Sequence, residues 1–190
     1  MSLQRVSLLL SVPLALWGTQ ALAEPFVAPL PDGSELVLSL PETWKGSHQT
    51  SGPSVTVTLD PSSASADFLV LFTVLPVKAD SPVSTPEGLR DFVATMGDRA
   101  LATALQERLE IYEVRGEQAV GYLYHLTDRN PEKGPGDYRE ANQGAILLGQ
   151  YLISVTILTH TDDTTTVEEA QRVLATAQIK PSASGTGAGR

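Results

Sequence analysis

The chain has 190 residues, 22 of them Asp or Glu against 13 Lys or Arg for a net charge of −9, and it contains no cysteine. So acidic a surface is repelled by phosphate backbones and anionic headgroups, where binding depends on Lys and Arg displacing counterions, so nucleic acid is not an expected partner. Without cysteine there is no disulfide, no thiolate metal site, no thiol nucleophile and no acylated N-terminal lipid anchor.

Residues 6–16 form an apolar run behind Arg5, and Ala21 and Ala23 flank Leu22 in the small-x-small pattern that a signal peptidase pocket admits. The run is about 11 residues, whereas crossing hydrocarbon takes roughly 20. A cleaved signal peptide is therefore expected over 1–23, with export to the periplasm of a Gram-negative bacterium. Cleavage removes Arg5 and leaves a mature charge of about −10, a common solubility device of envelope proteins.

Residues 24–33 carry three prolines and are expected to be extended. Residues 180–190 are small, polar and glycine-rich, a composition that cannot offset its ordering entropy, and are expected to be a disordered tail. One domain is expected between them, over 34–179, with no internal repeat.

ELVLSLP (35–41) alternates and stops at Pro41, which suits a first strand. SVTVTLD (54–60) sets Val55, Val57 and Leu59 on one face and Thr56 and Thr58 on the other. DFLVLFTVLP (67–76) is apolar on both faces, which predicts a strand whose sheet is covered on both sides. A helix is predicted next, capped by Ser84 or Thr85 with Pro86 in its first turn. Leu89, Phe92, Val93, Met96 and Ala100 form its apolar stripe. Gly97 costs about 1 kcal/mol relative to Ala, so the segment to Gln106 is expected to kink or split.

RLEIYEVRGEQAVGYLYHLTD reads as a hairpin with strands near 109–114 and 118–127, turning at 115–117. DRNPEKGPGDYREAN (128–142) is charged and rich in Gly and Pro, a surface loop. GAILLGQYLISVTILTH (144–160) is divided by Gly149-Gln150 into two strands. It is β-branched, and too short for a membrane span. The last predicted element is a helix to about Ile179, with Thr166 and Glu169 in a capping-box pattern and Val167, Ala170, Val173, Leu174 and Ala177 buried.

Three strands, a helix, four strands and a helix give an α+β fold. The expected form is a single-domain α/β/α sandwich, with a mostly antiparallel sheet of about seven strands and two main helices. SLPETW (39–44), this element order, and YLISVTILTHTDDTTTVEEAQRVLATAQI (151–179) leading through a polar turn into the closing helix resemble the PsbP-like family over about 34–179. That family also includes a eukaryotic nuclear-import factor and many exported bacterial proteins, and its plant members are extrinsic subunits of a photosynthetic membrane complex. The resemblance implies a docking scaffold in place of an enzyme. It carries over no functional residue, because no binding motif of the family matches positions here. Many bacterial relatives have a lipid-anchor Cys that this chain lacks.

The chain's own residues supply few parts for chemistry. His48, His125 and His160 lack metal-ligand spacing, although His125 and His160 could meet across the sheet. SGPS (51–54) is not a G-x-S-x-G elbow, although His48 is near. Asp162 and Asp163 sit where carboxylates favour a helix N-terminus, without calcium-loop spacing. No phosphate-cradling glycine motif occurs. Tyr122, Tyr124 and Tyr151 read as core with hydroxyls at the rim, or as the lining of a groove, and Trp44 as packing under the first strand end.

The expected function is that of an exported, non-enzymatic periplasmic protein that binds another envelope protein or assists assembly, with no cofactor and no metal. Its expected contact surface is the loop 128–142, through Arg129, Glu132, Lys133, Tyr138 and Arg139, because Tyr and Arg are enriched where binding energy concentrates. The alternative is a small-molecule-binding protein with a pocket beside the sheet.

Overall fold

A computed structural model of the chain describes residues 25–62, 68–130, 137–161 and 163–181; the expected signal peptide and most of the expected tail lie outside them. Seven antiparallel strands form the main sheet: β3 (Trp44–Ser51), β4 (Ser54–Pro61), β5 (Phe68–Pro76), β6 (Ile111–Arg115), β7 (Ala119–Thr127), β8 (Glu140–Leu148) and β9 (Tyr151–Thr159). Their order is β3-β4-β5-β9-β8-β7-β6. A second, three-stranded sheet is built from β1 (Phe26–Pro29), β2 (Glu35–Leu38) and β10 (Gln178–Lys180), with β2 in the middle. The helices are α1 (Pro86–Ala100) and α2 (Thr164–Ala175). The α+β class, the two helices and the seven-stranded antiparallel sheet are as the sequence predicts.

The stretch GAILLGQYLISVTILTH forms the second half of β8 and all of β9, in the middle of the sheet. Gly149 takes φ +60 at the turn between them, a left-handed conformation that glycine adopts without steric cost. On one side, Val55, Val57, Leu59, Val70, Phe72, Val74, Ile153, Val155 and Ile157 join a core with Leu36 and Leu38 of the small sheet and Ala170, Val173 and Leu174 of α2. On the other, α1 lies over β7 and β8, where Leu89 and Val93 pack with Tyr124, Leu126, Ala145, Leu147 and Leu152.

The second face is covered only in part. Thr56, Thr58, Leu69, Leu71, Thr73, Leu75, Ser154, Thr156 and Leu158 are half-buried. The cover expected on both sides of β5's sheet is thus partial on this one: α1 roofs the β7–β8 half and leaves β4, β5 and β9 a shelf of Thr and Leu. Threonine tolerates this position because its methyl packs on the pleat while its hydroxyl meets water; those of Thr56 and Thr73 lie 3.5 Å apart across the strands.

Element boundaries differ where local pairing overrides pattern. ELVL pairs in the small sheet, and the seventh strand of the main sheet is Trp44–Ser51, which shows no apolar alternation. Helix α1 is capped by Thr85, which accepts from Gly88 N at 3.1 Å, and it runs unbroken through Gly97. A Cβ there would come within 2.5 Å of Leu109, so glycine is what lets the β6 approach pack against the helix. The helix ends at Ala100, and residues 101–103 form a 3₁₀ turn. Helix α2 is capped by Asp163, which accepts from Thr166 N at 3.1 Å and Thr166 Oγ1 at 2.6 Å, in place of the Thr166–Glu169 box. Gln178 and Ile179, predicted as the helix end, and Lys180, expected in the disordered tail, form β10.

A polar tie also joins the two sheets. Asp32 accepts from Ser34 N at 2.9 Å, Ser34 Oγ at 2.6 Å and Gln150 Nε2 at 3.2 Å, while Ser34 Oγ lies 3.1 Å from the Tyr151 hydroxyl. The Ser34 hydroxyl first, then that of Tyr151 and the Ser34 N–H, hold the Asp32 carboxyl at about 2, below its ordinary 3.8. A depressed carboxylate contributes stability that is complete above pH 3.8 and lost as pH falls through about 2. The melting temperature of the wild type should therefore exceed that of Asp32→Asn at pH 5 by a small margin, Asp32 being exposed, and the margin should close as the pH approaches 2. A margin that persists unchanged at pH 2 would remove this tie from the account.

Candidate functional site

The loop after β7 begins at Asp128, and β8 starts at Glu140, four residues before the predicted start of that strand and inside the predicted loop 128–142. The base of the loop is closed by Asp128 N donating to Arg139 O at 2.8 Å, and Arg139 N donates to Thr159 O at 3.0 Å. Arg129 turns inward. Its Nε and Nη2 both donate to Ala104 O, at 3.1 and 2.8 Å, and its N–H donates to Thr103 O. Of the five residues predicted to make contacts, Arg129 therefore holds the loop against the turn after α1. Tyr138 stacks on His160 with ring centroids 4.8 Å apart. Arg139 is 55% exposed and reaches Glu140 Oε1 at 3.5 Å. Glu132 and Lys133 lie outside the described residues.

Beneath the loop the sheet carries a polar network that sequence reasoning missed. Glu140 is only 7% exposed. Its Oε2 accepts from Thr127 Oγ1 at 2.7 Å and from His125 Nε2 at 3.0 Å. The Gln106 side chain clasps Thr127, accepting from its N–H at 2.9 Å and donating to its Oγ1 at 3.1 Å. Register explains the meeting: Thr127 pairs with Glu140, and His125 with Asn142, so all four project from one face. Further along, Tyr112 donates to Asn142 Oδ1 at 3.0 Å and receives Gln171 Nε2 of α2 at 3.4 Å. Burial pushes the Tyr112 phenol above its ordinary value. Every buried side-chain polar atom among the described residues is satisfied, as a buried carboxylate requires.

A signal for this network was present. Glu140, Asn142, Gly144, Ile146 and Leu148 follow a period of two, so extending the GAILL alternation backwards puts Glu140 and Asn142 on the buried face.

Two cavities open on either side of this rung. One, of about 350 Å³, has Leu126, Ala141 and Leu158 on its floor and Asp128, Asp137, Tyr138, Arg139 and Glu140 at its rim. The other, of about 590 Å³, lies between the segment 106–112 and His125. Glu140 lines the first and His125 the second. His125 and His160 stand on opposite sides of β8, the first bound to Glu140 and the second stacked on Tyr138. A His–carboxylate pair orients an imidazole, but nucleophilic catalysis also needs a hydroxyl on the other ring nitrogen; among the described residues, His125 hydrogen-bonds only Glu140. Nor, among them, do three His, Asp or Glu side chains cluster to hold a metal ion. No described helix is long and apolar enough to cross a membrane.

Tyr124 and Tyr151 are core residues with bonded hydroxyls, Tyr124 to Gln143 Oε1 at 3.1 Å, and Tyr122 is half-buried under α1. Trp44 packs on Phe68 at 4.8 Å. Comparison with known proteins finds no family model, no curated protein and no solved structure that matches this chain.

Proposed function

We propose that the protein is an exported, non-enzymatic periplasmic module of PsbP-like type that captures another envelope protein at the loop-bearing end of its sheet. The observation that carries this reading is the rigid base of the loop: Asp128, Arg129 and Arg139 are fixed to β9 and to the turn after α1. Contact residues fixed to such a base lose little conformational entropy on binding, which favours affinity. At that base stand an aromatic pair, Tyr138 and His160, and a half-exposed guanidinium, Arg139. Tyr and Arg are side-chain types in which interface energy concentrates.

The cavity under the loop favours a second reading, a small-molecule-binding protein, because about 350 Å³ falls in the range of ligand pockets. Deletion of residues 131–137 separates the two. On the first reading it abolishes crosslinked capture of the partner from periplasmic extract and leaves thermal unfolding nearly unchanged. On the second, capture is absent from the start, and one compound of a thermal-shift library at about 100 times its dissociation constant adds about 2.7 kcal/mol. A deletion variant that captures as well as the wild type contradicts the contact surface.

A further inference from the structure

Sheet edges invite pairing with other chains, and proteins guard them with short strands, proline, charge or a covering element. Three of the four edges here are guarded. Strand β1 has four residues and ends on Pro29; β10 has three, includes Lys180 and is followed by Pro181. Strand β6 has five, carries the Glu113–Arg115 ion pair and packs against α2. The fourth edge, β3, is different. It is eight residues long and contains no proline, and its side chains from Ser47 to Ser51 are all exposed. Among the described residues only β4 pairs with it.

Beyond Lys45, near its start, the edge is also uncharged. Residues 46–59 contain no Asp, Glu, Lys or Arg, in a chain of net charge −9. Salt screens exposed charges beyond about 8 Å, so an approach along this strand avoids the repulsion that opposes contact between two acidic molecules elsewhere. Strand-addition sites that read foreign peptides combine main-chain bonds with pockets for alternate side chains. Ser47, His48, Gln49 and Thr50 offer main-chain bonds and exposed, polar side chains, which give the edge little with which to select a foreign sequence. An identical strand needs no selection, because a two-fold axis makes the patch complementary to itself.

We infer that β3 pairs antiparallel with β3 of a second copy of this chain, joining two seven-stranded sheets into one. An axis at His48 sets Ser47 opposite Gln49 and Lys45 opposite Ser51, so no two charged side chains face each other. The Thr and Leu shelves of β4, β5 and β9 then lie side by side on one face of the joined sheet.

The test is the mass of the purified protein by sedimentation equilibrium over a concentration series. The wild type should reach twice the 20.2 kDa of one full-length chain, or twice the mature mass after cleavage. Ser47→Glu with Gln49→Glu would place introduced carboxylates opposite one another across the axis and raise the dissociation constant at least about tenfold. Ser47→Lys with Gln49→Lys should do the same although it lowers the net negative charge. These positions are exposed, so both variants should keep the wild-type circular dichroism and melting temperature. Hydrogen exchange in the wild type supplies a readout without substitution: β3 amides should be protected at high concentration and lose that protection on dilution. A wild type that is monomeric throughout overturns the inference, whether its edge is bare or covered by another partner. A dimer that either variant leaves intact, or that the Lys variant strengthens, overturns it as well.

Discussion

Phe72→Ala should lower the stability of the protein by about 3–5 kcal/mol, whereas Leu71→Ala, one residue away on the same strand, should cost about 1 kcal/mol. Phe72 is 0% exposed and points into the core shared by the main sheet, the small sheet and α2. Leu71 points to the shelf that α1 leaves uncovered and is half-buried. Truncating a fully enclosed ring leaves a cavity whose walls lose their contacts, while truncating a side chain at the water boundary leaves space that solvent fills. At about 2–4 °C per kcal/mol for a chain of this size, the first substitution should lower the melting temperature by about 6–20 °C and the second by about 2–4 °C. Equal losses would mean that both faces of β5 are roofed alike, and the half-covered sheet would have to be abandoned.

The second large effect is expected at Gly144. It sits in β8 between β7 and β9, and a Cβ built on it would lie 2.0 Å from Tyr122 O and 2.8 Å from Leu123 Cα. Both are backbone atoms of a neighbouring strand, which can yield only by distorting the ladder. Gly144→Ala should therefore cost about 3 kcal/mol or more, at the upper end of overpacking penalties. Gly149→Ala provides the contrast. Its Cβ meets nothing within 4 Å, and the cost comes only from holding alanine at φ +60, about 1–2 kcal/mol. Denaturant unfolding of the two variants measures both numbers. A Gly144→Ala protein within 1 kcal/mol of wild type would contradict the register of β7 against β8.

The parts of this fold that were legible in the sequence are those that bury apolar side chains on a period. Strands β4, β5, β7 and β9 alternate or are continuously apolar, and α1 and α2 carry stripes at helical spacing, so their cores announce them. Strand β3 was missed because WKGSHQTS places polar side chains on both faces; an edge strand is held by the ladder to β4 and needs no apolar face. Strands β1 and β10 were missed for a related reason. Each is four residues or fewer and exists only because β2 lies between them. The end of α2 was overrun because Ala177 and Ile179 continue an apolar pattern that the chain satisfies as a strand against Leu36 and Val37.

The candidate site was half legible. Glycine, proline and charge mark the loop, but composition does not tell which of its residues face outward. Arg129 has the chemistry of an interface residue and is spent on Ala104 O. Glu140 was counted with the loop, yet pairing with Thr127 draws it into the sheet, where His125 and Thr127 satisfy it. Such a network depends on the registry of three strands and on Gln106 from a distant turn, which no local window contains.

The claim on which the functional account depends is that the loop-bearing end of the sheet is the surface that meets a partner. Because the chain has no cysteine, a single one can be placed at will and armed with a photo-crosslinker. Tyr138→Cys, beside the cavity, and Glu168→Cys, on the exposed side of α2, form the informative pair in periplasmic extract. The account predicts one saturable adduct of defined mass from position 138 and none from position 168. An adduct formed equally from both positions, or from position 168 alone, would contradict it.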